Sequence, residues 1–401
     1  MVATVTSYTD ARNRAYLGQG YDGVVRVSFG GYYGTGVLLY DGRAVLTSAH
    51  LFDRAADSTQ THFETVSGSK TVSSARVLVM PSYDDDSNND LALVWLSAAA
   101  PLDAERYGLY RDGDEIGQTF TMVGYGLPGS GDTGALTTYN GSPLRLKAKN
   151  QFDADVGTLK EQLGSSMAWT PTAGTQLVAD FDNGLSQQDA LGRLINRPGT
   201  GLGINEGMIT SGDSGGPAFI GGLVAGIASY TASLSRGSIQ PDIDGQSNSS
   251  FGEIGAWQRV SHYQQWIDQS LRAHYPNAPT KPEDVQTSVL ESNSGTSYAY
   301  FLLQFTGVRS DPKQLLSVDY ATRNGSATAG EDYFAVQGTL LLYPNENQVV
   351  IPVEIIGDTL VEPDETFYLD IFNPVGGSFG PGVLMLSAMR TIINDDGGWW
   401  G

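Results

Sequence analysis

The chain has no cysteine among its 401 residues. This absence excludes disulfide bridges, thiolate zinc sites and cysteine nucleophiles, although it does not by itself place a protein in the cytosol. Basic residues are also few, because 23 Lys and Arg stand against 44 Asp and Glu and give a net charge of −21. Such a surface repels nucleic acid and anionic membranes, so we expect neither as a partner.

Long apolar runs are missing as well. No stretch reaches the about 18 apolar residues that cross a bilayer, so we expect no membrane span. Met1-Val2-Ala3-Thr4 opens a polar segment without the apolar core of a signal peptide. Either the residues shown are a mature form with an added methionine, or export uses another route.

The chain is rich in glycine, with 50 residues, and 40% of it is apolar. Its length allows two or three domains. Short apolar runs separated by turn residues lie at 23–40, 44–48, 75–80, 91–96 and 119–123. This spacing predicts an all-β barrel or sandwich. A helical period of apolar residues from Val260 to Tyr275 predicts one helix after these strands.

The most informative segment is Ser211-Gly212-Asp213-Ser214-Gly215-Gly216-Pro217. Its glycines allow tight turns with positive φ and leave room for a substrate to approach. Such a loop can direct the amides of Gly212 and Ser214 at one point beside the Ser214 hydroxyl. The segment therefore predicts a nucleophile, Ser214, beside an oxyanion hole made by Gly212 and Ser214.

Two upstream residues complete a hydrolytic site. His50 ends the apolar run 45–50, and Asp90 begins the apolar run 90–96. A histidine titrates near neutrality and can take a serine proton, while a buried carboxylate fixes the imidazole tautomer. Taken singly, His50 would be a core histidine and Asp90 a strand cap. The acids at 84–86 rival Asp90 by position, but no apolar strand follows them, so we expect a solvated loop or a cation site there.

The motifs Thr47-Ser48-Ala49-His50, Asp90-Leu91-Ala92-Leu93 and Gly212–Pro217, in this order, resemble those of the chymotrypsin-like (trypsin-fold) serine proteases. The resemblance implies a protease domain over residues 1–276, with two six-stranded barrels, an active site between them and a C-terminal helix. It implies that Ser214 forms an acyl-enzyme, that His50 is general base and acid, and that Asp90 orients His50. No cofactor is expected for catalysis.

The same resemblance implies a specificity pocket. Met208, six residues before Ser214, matches its base, Ser229-Tyr230-Thr231 matches a flanking strand, and Gly255 matches the small residue at its back. A methionine cannot pair with Lys or Arg, and Thr231 in place of a glycine narrows the mouth. We therefore expect cleavage after small or medium apolar residues.

Asp213, directly before the nucleophile, bears on activation. In zymogens of this family a new N-terminal amine pairs with the matching aspartate. This chain offers the segment 16–20, which follows Arg14. Either cleavage near Arg14 creates such a terminus, or the pocket is always ordered and Asp213 is satisfied by a side chain or by backbone amides.

The stretch 124–206 is long for a connection between Asp90 and Ser214. It contains Leu177–Gly184, which is typical of a strand entering an acidic turn. Asp180 and Asp182 could hold a cation there, but we expect an Asx-turn, which is the commoner use of aspartate in turns. Family members with such an insertion occur among bacterial secreted proteases, so we expect a secreted protein of bacterial origin.

A proline-rich linker at 277–284 precedes a second domain at 285–396. Short β-rich runs between polar turns predict an Ig-like β-sandwich. Phrases resembling the Calx-β domain are Val318–Thr322, Gly325–Tyr333, Ile355–Asp358, Glu362–Phe367 and Ile393–Asp396. Residues 397–401 are a tail too short to fold alone. Its two tryptophans indicate docking or an anchor remnant, or the tail is a cloning or truncation boundary.

Calx-β domains can bind calcium at one end of the sandwich, and calcium prefers about six to eight oxygen ligands. Two departures weaken the match: Gly357 stands where calcium-binding members often carry an acid, and Asn394 replaces the first of three acids. The alternative is a structural sandwich with an acidic tip. The implied ligands are Glu291, Asp332, Asp358, Glu362, Asp395 and Asp396, with Glu365 in support.

The sequence therefore predicts a secreted, monomeric serine endopeptidase that acts on proteins or peptides and carries an accessory calcium-binding domain. A calcium-dependent binding or adhesion protein with an inert protease fold is one alternative. The complete set of triad motifs argues against it. A self-processing maturation protease, which cleaves mainly its own chain or a neighbour's, is the other.

Overall fold

The computed structural model describes residues 2–52 and 59–396. Internal contacts divide the chain into a first unit, residues 1–39 with 43–264, and a second unit, residues 40–42 with 265–401. The domain boundaries expected from the sequence stay predictions, and the tail expected at 397–401 lies outside the described residues. Within the described residues, no helix is long and apolar enough to span a membrane.

A closed six-stranded barrel forms the first part of the first unit. Its strands follow the hydrogen-bonded order β2-β3-β4-β7-β6-β5, and β5 closes the barrel by pairing antiparallel with β2. Val25, Leu38 and Phe63 fill its interior with no exposed surface. The strands up to residue 96 are β1 (Val2–Thr4), β2 (Val24–Phe29), β3 (Tyr32–Leu38), β4 (Ala44–Thr47), β5 (Gln60–Thr65), β6 (Gly68–Val79) and β7 (Ala92–Leu96).

The remainder of the first unit contains an antiparallel seven-stranded sheet, β11-β8-β15-β16-β17-β13-β12, and a small sheet, β10-β9-β1-β14. Phe120 stacks on Phe152 at 4.0 Å in the core of this part, and Trp257 meets Phe120 edge-on at 5.0 Å. The strands are β8 (Thr119–Gly124), β9 (Gly129–Ser130), β10 (Gly134–Ala135), β11 (Leu146–Gln151), β12 (Ala154–Asp155), β13 (Gln176–Asp180), β14 (Gly207–Ile209), β15 (Pro217–Ile220), β16 (Leu223–Ala232) and β17 (Ile254–Arg259).

The second barrel differs in detail from the six-stranded form that the resemblance implied. Its edge strands β11 and β12 belong to one continuous segment and are separated by Phe152 and Asp153. The segment pairs first with β8 and then crosses to β13. The chain itself therefore joins the two edges of the sheet, where a closed barrel would have a hydrogen-bonded ladder.

In the described part of the chain, three helices accompany the sheets: α1 (Val156–Leu163), α2 (Ala190–Ile195) and α3 (Val260–Arg272). The carboxylate of Asp155 caps α1 and that of Asp189 caps α2. The helix expected after residue 260 is confirmed as α3, whereas α1 and α2 lie in the long insertion and were not expected. Short 3-10 turns lie at Ala11–Asn13, Ala49–Phe52, Gly164–Ser166, Gly203–Asn205 and Pro282–Asp284.

The second unit contains a β-sandwich. A five-stranded sheet, β18-β24-β23-β20-β21, accompanies a two-stranded sheet, β19-β22. Tyr333 stacks on Phe367 at 4.5 Å in its core. The all-β fold class, with barrel-type sheets followed by a sandwich, is confirmed. The strands are β18 (Ser288–Leu290), β19 (Thr296–Gln304), β20 (Leu316–Asn324), β21 (Gln337–Leu342), β22 (Gln348–Ile356), β23 (Glu365–Val375) and β24 (Met385–Ile393).

Candidate active site

Ser214 lies in the turn between β14 and β15, in the first unit. Gly215 beside it has a φ of +83°, and a Cβ atom there would lie 2.0 Å from Thr47 Oγ1 and 2.9 Å from the Ser48 nitrogen. Only glycine allows both this backbone conformation and this close approach. The loop that carries Ser214 therefore packs directly against the segment that ends at His50.

His50 and Asp90 are paired. His50 lies in the 3-10 turn Ala49–Phe52, and its Nδ1 is 2.7 Å from Asp90 Oδ2, while its backbone amide donates to Asp90 Oδ1 at 2.8 Å. The Asp90 side chain has no exposed surface, whereas 30% of the His50 side chain is exposed. A proton held on Nδ1 by the carboxylate leaves Nε2 as the acceptor on an accessible ring.

Strand β16 connects the nucleophile loop to this pair. The carbonyl oxygen of Ala228 accepts hydrogen bonds from the Gly215 amide at 2.8 Å and from Ser48 Oγ at 2.7 Å. The next residue, Ser229, donates its hydroxyl to Asp90 Oδ2. Sequence reasoning placed Ser229 at the specificity pocket and missed its contact with Asp90, because the two residues are 139 positions apart.

Among the described residues, the two amides expected in the oxyanion hole have no competing partner. Gly212 has a φ of +95°, and its carbonyl oxygen accepts a hydrogen bond from Thr35 Oγ1 at 2.9 Å. The Ser214 carbonyl oxygen accepts from the Thr35 amide at 2.8 Å. In the part of the chain that the structure describes, neither the Gly212 nor the Ser214 amide donates a hydrogen bond. Both N–H groups are therefore available to an anionic oxygen.

The Asp213 side chain, which belongs to the same loop, is buried and accepts hydrogen bonds from other residues of the protein. Its Oδ1 accepts from the Gly126 amide at 2.8 Å, and its Oδ2 accepts from the amide and the hydroxyl of Thr210 at 2.8 and 3.1 Å. Burial raises the pKa of Asp213 above its usual value. The segment 16–20, considered as an activation site, lies elsewhere, since Tyr16 is 43% exposed and the Gly18 amide donates to Asp22.

A cavity of about 340 Å³ opens beside Ser214, and the predicted pocket residues Ser229, Tyr230 and Thr231 line it. Among the described residues that line this cavity, none carries a formal charge. Most are hydroxyl or amide residues, of which six are Thr137, Thr210, Ser211, Thr231, Ser247 and Asn248.

Met208 and Gly255, the other two pocket predictions, are not part of this lining. Met208 has no exposed surface and belongs to the hydrophobic core with Phe120 and Trp257. A Cβ atom on Gly255 would lie 2.6 Å from Met208 Sδ and 2.7 Å from the Trp257 ring. The two residues therefore contact each other inside the core, because Met208 pairs in β14 and its side chain packs inward.

The second unit gathers the predicted calcium ligands into two groups, in each of which carboxylate oxygens lie within 4.8 Å of one another. The groups are Glu291 with Asp358 and Asp396, and Asp332 with Glu362 and Glu365. Among the described residues Asp395 joins neither group, and its Oδ1 accepts from the Ser292 amide at 3.1 Å.

The first of these groups has the properties of a cation site. Asp396 Oδ2 is buried without a hydrogen-bond partner among the described residues. Burial, together with repulsion from neighbouring carboxylates including Asp358, raises the pKa of Glu291 to about 7. Asn394, which replaces an acid, donates its amide to Glu291 Oε2 at 3.3 Å and accepts the Asp396 amide on Oδ1 at 3.1 Å. Asn394 therefore helps to orient Glu291 and Asp396 within this group.

Asp180 and Asp182 do not form the Asx-turns that we expected. Asp180 Oδ2 accepts from the Leu191 amide at 2.7 Å, eleven residues further along the chain. Asp182 accepts no hydrogen bond on its side chain from any described residue. The expectation is wrong because both side chains point into the protein, where only distant parts of the chain can reach them. The acids at 84–86 form the expected solvated turn, in which Asp84 Oδ1 accepts the Asp86 amide at 3.0 Å.

Two family models match separate parts of this chain. Residues 13–153 match the Trypsin family model, and residues 303–397 match the Calx-beta domain model. Human sodium/calcium exchanger 2 is 30% identical over 153 residues, which are 31% of this chain and 17% of the exchanger. The sodium/calcium exchanger Calx of Drosophila melanogaster is 33% identical over 90 residues, 22% of this chain and 9% of that protein.

Among solved structures, mouse neuropsin, described as a serine protease expressed in the limbic system of the brain, matches with 17% identity and a TM-score of 0.46. The match covers 65% of this chain and 98% of neuropsin. The chain spans less than a fifth of the curated exchangers that it matches. This chain thus has a segment that matches the Trypsin family model, followed by a segment that matches the Calx-beta domain model.

Proposed function

We propose that this chain is a serine endopeptidase in which Ser214, His50 and Asp90 form the catalytic triad. The observation that carries the proposal is the pair of hydrogen bonds by which the buried Asp90 carboxylate holds both the ring and the backbone of His50. A core histidine would need no such carboxylate, and a strand cap would need no imidazole. The pairing also argues against the alternative of an inert protease fold.

Each residue then has a defined role. Ser214 Oγ attacks the peptide carbonyl while His50 Nε2 takes its proton, and the resulting oxyanion is stabilised by the amides of Gly212 and Ser214. His50, now a cation stabilised by Asp90, gives the proton to the leaving amine, and an acyl-enzyme remains. Water activated by the same imidazole then releases the acyl group and restores the serine.

The cavity beside Ser214 supports a preference for uncharged side chains on the acyl side of the cleaved bond. Its described lining has no carboxylate that would pair with Lys or Arg. We predicted small or medium apolar residues from Met208, which the cavity does not contain. Because the residues that do line it are mainly hydroxyl-bearing, we widen the proposal to small or medium uncharged residues.

We further propose that the specificity pocket is ordered by the protein's own groups. The hydrogen bonds from Gly126 and Thr210 support this proposal, since both residues belong to the first unit and bind Asp213 directly. The exposed segment 16–20 gives no support to activation by cleavage near Arg14. Secretion and a monomeric state stay predictions of the sequence.

We also propose that the Calx-beta domain binds calcium. Carboxylates supply the hard oxygen ligands that calcium prefers. The unpartnered Asp396 Oδ2 supports this assignment, because a buried anionic oxygen without a donor is costly unless a cation faces it. Glu291, Asp358 and Asp396 are the ligands that we propose first, and Asp332, Glu362 and Glu365 are the second group.

Hydrolysis of casein by the full chain tests the proposal. Wild type should release peptides, Ser214→Ala should not, and Ser165→Ala, which changes an exposed serine of the same unit, should match wild type. Each sample is also assayed with and without EDTA, which shows whether hydrolysis requires bound calcium in addition to the triad. Equal hydrolysis by wild type and Ser214→Ala would remove Ser214 as the nucleophile.

A further inference from the structure

Apart from the two acidic groups of the second unit, a cluster of acids lies in the first unit, inside the long insertion. Asp180 ends β13, Asp182 follows two residues later, and Asp189 caps α2. One carboxylate oxygen from each of the three lies within 4.8 Å of the others. All three residues are more than nine-tenths buried, with exposed fractions of 3%, 5% and 6%. Neither the proposed triad nor the specificity cavity uses any of them.

Two members of the cluster are partly satisfied by backbone amides. Asp180 Oδ2 accepts from Leu191 at 2.7 Å, and Asp189 Oδ1 accepts from Gly192 at 2.6 Å. Asp182 is different, because its Oδ1 is buried and has no hydrogen-bond partner among the described residues. A buried carboxylate oxygen in this situation forfeits its solvation without compensation.

Further negative charge surrounds the three aspartates. Glu206, which is 1% exposed, accepts the Asp182 amide on Oε1 at 2.7 Å and the Leu202 amide on its other oxygen. Glu206 therefore organises the backbone around the cluster. Within residues 2–52 and 59–396, no Lys, Arg or His forms an ion pair with these acids or with the nearby Asp153.

The uncompensated charge is reflected in the titration of the cluster. Burial first, and then repulsion from Glu206, Asp189 and Asp153, raises the pKa of Asp182 to about 8. Burial likewise raises the pKa of Glu206 to about 7.

We propose that Asp180, Asp182 and Asp189 bind a calcium ion in the first unit. The donor set consists of oxygen alone, without the nitrogen or sulfur ligands that favour zinc, copper or iron. Calcium tolerates irregular arrangements of carboxylates, whereas magnesium requires near-octahedral geometry and keeps several waters. A nearly dry cluster of three aspartates therefore suits calcium better than magnesium.

The ion would fix the insertion to the sheet. It would connect the end of β13 to the start of α2, and the chain continues from there through Glu206 into β14 and the nucleophile loop. A chain without disulfides gains a cross-link between a strand and the helix that follows it in this way. The site is independent of the proposed catalytic chemistry, and of the calcium ligands in the second unit.

Equilibrium dialysis of the full chain with radioactive calcium alone tests the inference, in a Ser214→Ala background that prevents self-cleavage. The second-unit groups are removed together by Glu291→Gln, Asp332→Asn, Asp358→Asn and Glu362→Gln. This fourfold variant should still retain one calcium per chain. Adding Asp182→Asn should remove that ion, whereas adding Asp112→Asn, which neutralises an exposed acid of the same unit, should leave it bound.

A fourfold variant that binds no calcium would overturn the inference, as would equal binding after Asp182→Asn and Asp112→Asn. The fourfold variant leaves the first unit intact, and circular dichroism shows whether each protein is folded. If Asp182→Asn does not fold, Asp189→Asn takes its place, and the same loss of one ion is expected. Because the readout is bound calcium, the result does not depend on whether the chain proves to be a protease.

Discussion

Asp90 and Asp182 are both buried carboxylates of the first unit, but they differ in the number of hydrogen bonds that their side chains accept. Asp90 accepts three hydrogen bonds, two from His50 and one from Ser229. Asp182 accepts none on its side chain from the described residues and lies among other acids. A saturated carboxylate holds its partner in one orientation, whereas an unsaturated one among like charges needs a cation. The comparison separates the orienting role that we propose for Asp90 from the metal-ligand role that we propose for Asp182.

The largest effect should come from a substitution of Asp90, the carboxylate whose hydrogen bonds are complete. Asp90→Asn replaces an oxygen acceptor by an amide, so that His50 adopts the wrong tautomer. We expect kcat to fall by roughly 10⁴-fold, while calcium content stays at the wild-type value. Steady-state kinetics on a peptide ester and dialysis of the same sample measure both. A loss below tenfold would mean that Asp90 does not orient the base.

The next largest effect concerns the contact between the nucleophile loop and the segment before His50. Gly215→Ala should displace the loop, since the new Cβ atom would lie 2.0 Å from Thr47 Oγ1 and 2.2 Å from the Thr35 carbonyl oxygen. A displacement of this kind lowers kcat/KM by about 100-fold.

Gly222→Ala is the matched control for that variant. Gly222 has a φ of +82°, close to that of Gly215, but nothing lies within 4 Å of its Cβ position. It should therefore lose about 1–2 kcal/mol of stability from backbone strain and keep its activity. Equal losses of activity in the two variants would show that backbone strain, rather than the close contacts at Gly215, is responsible.

A smaller effect should appear in the pH dependence of stability without calcium. Asp182 and Glu291 have folded-state pKa values raised to about 8 and about 7, so the folded protein binds protons more tightly than the unfolded chain. The stabilisation is complete at acidic pH and is lost as pH rises through these values. The melting temperature in EDTA should therefore be lower at pH 8 than at pH 5.5.

Calcium should reverse this trend, because ligand carboxylates bind the ion only when they are deprotonated. At a free concentration of 100 times Kd, one site contributes about 2.7 kcal/mol. Melting curves at both pH values, with calcium and with EDTA, test the prediction. If EDTA-treated protein is more stable at pH 8 than at pH 5.5, the buried acids are compensated by groups of the protein.

The smallest effect concerns the specificity cavity. Met208→Leu conserves volume in the core and should cost less than about 1.5 kcal/mol without changing the cleavage preference. Thr231→Gly should instead admit larger side chains, because Thr231 lines the cavity. A panel of chromogenic peptides that differ only in the residue before the cleaved bond measures both. A change of cleavage preference in Met208→Leu, but not in Thr231→Gly, would show that Met208 contributes to the specificity pocket.

The sequence predicted the parts of the fold that local patterns encode. The short β-rich runs of the second domain correspond to strands within β19–β24, and the residues His50 and Asp90 of two protease motifs lie in contact. The short strand β18 was missed, since three residues carry too little pattern.

The remaining differences between expectation and structure arise from contacts between distant residues. Met208 was assigned by counting back from Ser214, but the cavity wall comes from other segments, including Thr137 and Asn248. For the cluster in the first unit, the sequence indicated Asp180 and Asp182 as candidate cation ligands, but not Asp189. Asp189 completes it only because α2 folds back on β13, and no local pattern in the insertion predicts that helix.

Covalent labelling by a fluorophosphonate probe tests the central claim most directly. The account predicts one label per folded chain, located on Ser214 by mass spectrometry of the peptide that contains it, and no label on His50→Ala or Ser214→Ala. A folded wild-type chain that takes up no probe, or a label that persists in Ser214→Ala, would contradict it.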